Sequence, residues 1–191
     1  MSNIYAGHLT HLNSDYVCEA IGDFYIEEKD EGGQGKAFFS SENACIIIRT
    51  NPKPPLLWAL QNRKCADGAF VTFNEEGYHL HLVELKSRLT QAEWSHVLLQ
   101  FEGMYLTSLA ACRLMNINSI QSVNCYIAFK RDKMAPAESA SPILLKQLVG
   151  KDNPLNGHTS WVNAKVSLPF KTVAVLHKGQ RDTDGNADFR A

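Results

Sequence analysis

The chain has 191 residues, 45% of them hydrophobic and 20% charged, with a formal net charge of -1 and a pI near 6.6. Such a composition suits a globular domain with a sizeable core and excludes the global basic footprint of a protein that binds nucleic acid by bulk charge alone. Five cysteines without a CxxC pair argue against a disulfide framework or a zinc site, and the absence of a signal-like N-terminus or a long apolar run points to a cytoplasmic protein with no membrane segment.

In chain order, Asn13 or Ser14 is placed to cap a helix whose apolar positions are Tyr16, Val17, Ala20, Ile21, Phe24 and Tyr25. The stretch EEKDEGGQGK ends it, and its GGQG (32–35) reads as a turn, lacking the terminal Lys-Ser/Thr of a P-loop. KAFF and ACIIIRT read as strands, and NPKPP as a hard stop. LLWALQN is ambiguous. The segment 67–86 reads as a hairpin. A helix over 90–116 follows, opened by a Thr90/Glu93 capping box and buried along Trp94, Val97, Leu98, Phe101, Tyr105, Leu109 and Cys112. VNCYIAFK is a strand, MAPAESASP a small-residue loop, PILLKQLVG a short helix and GKDNPLNGHTS a loop. VNAKVSL and KTVAVLHK are terminal strands. The expectation is one α/β (α+β) domain over 1–178 and a disordered tail over 179–191.

The hairpin carries the chemistry. A four-residue loop from Asn74 to Gly77 pairs Phe73 with Tyr78, which sets Asp67 opposite Glu84. Directly opposed residues on antiparallel strands have Cα atoms ~4.5–5.5 Å apart. Lys86, two residues after Glu84, points to the same face, which otherwise consists of Ala69, Val71, Phe73, Tyr78, Leu80 and Leu82. Opposed carboxylates repel, and a divalent cation removes the conflict; hard oxygen donors at this spacing suit Mg²⁺ or Mn²⁺. A lysine beside such a centre can orient water or stabilise a phosphate in its transition state. The alternative is a surface salt-bridge cluster at a hairpin end.

Asp67, then Glu84-Leu85-Lys86 on a hairpin, then a long helix, resembles the PD-(D/E)xK nuclease superfamily over about 65–110, and the rest of the chain by element order. The leading Pro is replaced by Ala66. The resemblance implies a restriction-endonuclease-like mixed central sheet flanked by helices. It implies metal held by Asp67 and Glu84, and Lys86 acting on the attacking water. It also implies a Gln on the helix facing the site, where Gln100 stands, and an added acidic residue from the first helix, for which Glu19 is the candidate. The implied function is a metal-dependent nuclease acting on DNA ahead of RNA, as an effector or subunit of a prokaryotic defence or mobile-element system. A homo-oligomer or a partner subunit is expected, with the stripe of Trp94, Phe101 and Tyr105 as its contact. The competing reading is an inactive nuclease-fold scaffold, in keeping with the near-neutral charge. His79 and His81 share a strand face and read as sheet-face histidines ahead of metal ligands. Arg63-Lys64 and Lys130–Lys133 read as exposed charge that could meet phosphate.

Overall fold

The computed structural model describes residues 9–28, 35–50, 57, 59–134 and 155–190. Its strands are β1 (Val17–Glu27), β2 (Lys36–Arg49), β3 (Gly68–Asn74), β4 (Gly77–Thr90), β5 (Ser122–Lys133), β6 (Lys165–Leu168), β7 (Thr172–Gln180) and β8 (Ala187–Asp188), and its helices are α1 (Gln91–Leu114) and α2 (Leu155–Val162). The sheet runs β1-β2-β3-β4-β5-β7-β6, with β8 parallel to β2. Pairing is antiparallel from β1 to β4 and between β6 and β7; β4, β5 and β7 are parallel neighbours. This is a mixed α/β architecture built on one central sheet.

The β3–β4 hairpin has the register expected from its alternation. Phe73 pairs with Tyr78, and the ladder continues without a shift to Gly68 opposite Val83. Asn74 and Gly77 pair as well, leaving Glu75 and Glu76 as the turn, with the Glu76 N–H donating to the Asn74 side chain at 2.9 Å. β4 then runs directly into α1. Thr90 Oγ1 accepts from the Glu93 N–H at 3.3 Å and the Glu93 carboxylate accepts from the Thr90 N–H at 2.9 Å, a complete capping box.

Alternation along the strands divides the interior into two cores. On one face Val17, Ile46, Ala69, Val71, Leu80, Leu82, Cys125 and Ile127 pack against Trp94, Val97, Phe101 and Met104 of α1. On the other, Phe24, Ile26, Ala37 and Phe39 of β1 and β2 curl over Phe70, Val83, Leu85 and Ala128. The curl begins at a bulge between Ala20 and Gly22; Gly22 has φ +77, and nothing lies within 4 Å of the position its Cβ would take, so backbone conformation is what selects glycine there.

Several expectations are corrected. Residues 17–25, within the segment expected as a helix, belong to strand β1. Their apolar spacing fits a helix, but Asp23–Glu28 alternate exposed and buried, and Ile21 and Tyr25, which a helix would bury, stand exposed. KAFF and ACIIIRT lie in the two halves of one strand, because β2 pairs with β1 on both sides of a register shift. The loop expected over 150–160 contains α2. The tail is ordered through residue 190: β8 pairs with β2, and Arg181 is buried against Glu28 at 2.7 Å. The stripe of Trp94, Phe101 and Tyr105 faces the sheet and is buried, so it offers no oligomer contact. NPKPP, PILLKQLVG and all of MAPAESASP after Met134 lie outside the described residues. All five cysteines are free thiols; burial raises the pKa of Cys45 to about 11 and of Cys112 to about 12.

Candidate functional site

Two adjacent strands and the loop ahead of them build the site. Asp67 closes the loop and leads into β3; Glu84 and Lys86 lie near the C-terminal end of β4. Asp67 and Glu84 come together just past the last ladder pair, Gly68 with Val83. The Asp67 N–H donates to Glu84 Oε2 at 3.1 Å, and the Leu85 N–H donates to Asp67 Oδ2 at 2.7 Å. The Asp67 carboxylate is thus anchored by the backbone of β4, and the Glu84 carboxylate by the backbone of the loop that ends at Asp67. Lys86 Nζ lies 2.6 Å from Glu84 Oε1, an ion pair that also satisfies this buried oxygen.

Burial makes this more than a surface cluster. Glu84 is fully buried, Asp67 is 4% exposed, and the Lys86 side chain retains 19% exposure. Two carboxylates and one ammonium thus meet at the edge of an apolar core, where charge is costly unless it is paired and hydrogen-bonded. Asp67 opens into a cleft of about 350 Å³ that it shares with Asp15, Glu27, Arg49 and Thr50. Thr50 fixes the segment from the far side by donating to the Asp67 carbonyl at 2.5 Å. Lys86 opens into a second cleft, of about 750 Å³.

Gln100 is buried on the sheet-facing side of α1, and its amide donates to the Cys65 carbonyl at 3.4 Å. It therefore holds the chain two residues ahead of Asp67. Its Oε1 is buried and has no hydrogen-bond partner among the described residues. Glu19 is not brought to the site: it sits on β1 opposite Ile46, whereas the level of Asp67 lies beyond the Ile48–Ala69 pair. The acidic residue from the N-terminal region that does share the Asp67 cleft is Asp15, in the turn before β1. No local motif marks it; only the pairing of Val17 with Ile48 carries the preceding turn to that level.

The donors present fit a hard divalent cation in type: two carboxylates on adjacent strands, for an ion that commonly takes one or two and keeps waters. Among the described residues, no group of three His, Cys, Asp or Glu side chains could hold a metal. His79 and His81 belong to the opposite sheet face. His79 bonds with Asn74 and Ser122, and His81 bonds with Thr72 and Tyr126 and stacks on Phe70. No helix among the described residues is long and apolar enough to cross a membrane. Comparison of the chain with models of protein families, with curated proteins and with solved structures finds no match.

Proposed function

We propose that this chain is a metal-dependent nuclease that hydrolyses phosphodiester bonds of DNA, or of RNA, with a restriction-endonuclease-like core. The observation that carries the reading is the union of Asp67, Glu84 and Lys86 at one end of an apolar hairpin face, backbone-anchored and buried. Asp67 and Glu84 would hold Mg²⁺ or Mn²⁺, which would supply Lewis-acid polarisation of the phosphate and a nucleophile at neutral pH. The chain's own residues supply position and charge. The two backbone N–H bonds fix the carboxylates relative to each other. Lys86 pairs with Glu84 and carries a positive charge to the wall of the larger cleft, where negative charge on a phosphate would grow. Gln100 orders the loop that delivers Asp67. The reading of the chain as an effector or subunit of a defence or mobile-element system, acting in the cytoplasm with a partner or a second copy, is part of the same proposal.

A second reading is an inactive scaffold. It is favoured by the 2.6 Å contact between Lys86 and the fully buried Glu84, since a closed ion pair can be purely structural. Metal binding separates the two. With Mn²⁺ at ~100 times its Kd, wild type should gain ~2.7 kcal/mol of stability, seen as a rise in Tm of ~5–10 °C. Asp67→Asn, which keeps the size and an acceptor for the Leu85 N–H, should show no rise. Lys86→Gln should retain metal binding and lose ~10²–10³ in cleavage rate on plasmid or RNA. Equal thermal shifts in wild type and Asp67→Asn would sink the nuclease reading and leave the scaffold.

A further inference from the structure

The larger cleft has a charge balance that the two-carboxylate site does not explain. Lys86, Arg88, His96, Lys130 and Arg131 line it, together with Glu28 and Glu93. Both carboxylates are already engaged. Glu93 closes the capping box and pairs with Arg88 at 3.3 Å, and Glu28 pairs with the buried Arg181 at 2.7 Å. Lys86 faces Glu84. Lys130 and Arg131 have no carboxylate partner among the described residues; Lys130 Nζ meets only the Thr183 carbonyl at 3.3 Å. Arg131 is moreover the direct cross-strand neighbour of Arg88 in the parallel β4–β5 pair. Like charges directly opposite destabilise a sheet; Arg88 is paired with Glu93, so Arg131 is the cation of the two without a carboxylate among the described residues.

We infer that this cleft binds the phosphodiester backbone of a nucleic-acid strand, with Arg88, Lys130 and Arg131 as its phosphate contacts. The inference rests on the nuclease reading for the identity of the strand and deepens it by naming where the strand lies. Consecutive strand residues point to opposite faces, so Lys130 and Arg131 leave β5 in opposite directions and meet the cleft at separate points of its wall. That spacing suits a row of phosphates better than a single free phosphate. The cleft is about 750 Å³, and its wall includes Lys86, so a strand lying in it passes the ammonium that contacts Glu84 at 2.6 Å. The first turn of α1, at Ala92 and Glu93, adds the positive end of a 24-residue helix. A chain of net charge -1 thereby gains the local basic patch that its composition lacks.

The test is binding measured in EDTA, where metal-dependent cleavage plays no part. Fluorescence anisotropy would follow a labelled DNA duplex, a single DNA strand and a single RNA strand. Wild type should bind at least one, and the tightest of the three identifies the strand class. K130E/R131E should weaken that binding by ~tenfold or more at ~0.1 M salt and flatten the dependence of log K on log salt by ~1–2. Both side chains are exposed, and K130Q/R131Q serves as the milder pair if the charge reversal does not fold. R113E/K165E, with the same change in net charge away from the cleft, should bind as wild type does. Because EDTA removes the metal, failure of the metal reading would not be mistaken for failure of this one. Unchanged affinity in K130E/R131E, equal loss in R113E/K165E, or no binding of any probe by wild type would overturn the inference.

Discussion

His81 shows how one residue's surroundings set a pH response for the molecule. Its ring lies 4.3 Å from that of Phe70, almost parallel to it, and hydrogen-bonds with Thr72 and Tyr126. Burial, with lesser contributions from His79 and His177, holds its pKa down at about 3, against 6.5 for a free imidazole. The unfolded chain therefore takes up a proton that the folded chain refuses, and stability falls as pH drops below about 6.5. His177, whose pKa is also lowered by burial, acts in the same direction. The carboxyls of Asp23 and Asp188, lowered chiefly by hydrogen bonds to Ser40 and Arg190 respectively, contribute only at more acid pH. One such histidine gives a slope of ~1.4 kcal/mol per pH unit, or ~3–5 °C in Tm for a chain of this size. Melts between pH 7 and pH 5 should show that fall in wild type and a shallower one in His81→Gln. Parallel profiles would show that the acid response lies elsewhere.

At the scale of elements, α1 is the post against which the site is set. The loop before β3 lies flat on it: Asn62 Nδ2 donates to the Leu99 carbonyl at 2.8 Å, Gln100 holds Cys65, and Cys65 Sγ meets Met104 Sδ at 3.0 Å. This closeness requires Gly103. A Cβ there would stand 1.8 Å from the Lys64 carbonyl oxygen, a backbone atom that cannot rotate away. Gly103→Ala should therefore push the loop off the helix, costing ~1–3 kcal/mol in spite of alanine's better helix propensity. It should also weaken Mn²⁺ binding, because the displaced loop ends in Asp67. Ser95→Ala, on the exposed face of the same helix, should stay within ~0.5 kcal/mol of wild type. Denaturant melts and a Mn²⁺ titration of both variants check this; a stable Gly103→Ala with normal metal affinity would contradict it.

At the scale of the whole molecule, the C-terminal segment closes the layer opposite α1. Arg181 reaches across the fold to Glu28, donates to the Gly185 carbonyl at 2.5 Å, and is held by its own N–H on the Phe129 carbonyl. Ala187 and Phe189 then pack against the β1–β2 ribbon. Removing one partner of a buried ion pair strands the other, so Arg181→Ala should cost ~3–5 kcal/mol. E28Q/R181M, which removes both charges, should cost less than Arg181→Ala alone. Chemical denaturation of the three proteins measures the order. A neutral Arg181→Ala would mean that the segment contributes nothing to the fold.

By itself the sequence determined what local rules can decide. The β3–β4 register follows from alternation and a short turn, so the face holding Asp67, Glu84 and Lys86 was legible before any coordinates. The start of α1 follows from the Thr90/Glu93 box, which is complete within four residues. Tertiary structure decided the rest, because the partners are far apart in sequence. Residues 17–25 satisfy both a helical and an extended pattern, and pairing with β2 resolves them as a strand. The polar tail has few apolar residues of its own, yet Arg181 finds its carboxylate 153 positions away. Asp15, in place of Glu19, reaches the cleft of Asp67 through strand registers that no short motif encodes. The opposition of Arg88 and Arg131 likewise arises only when β4 and β5, separated in the chain by α1, lie side by side as parallel strands.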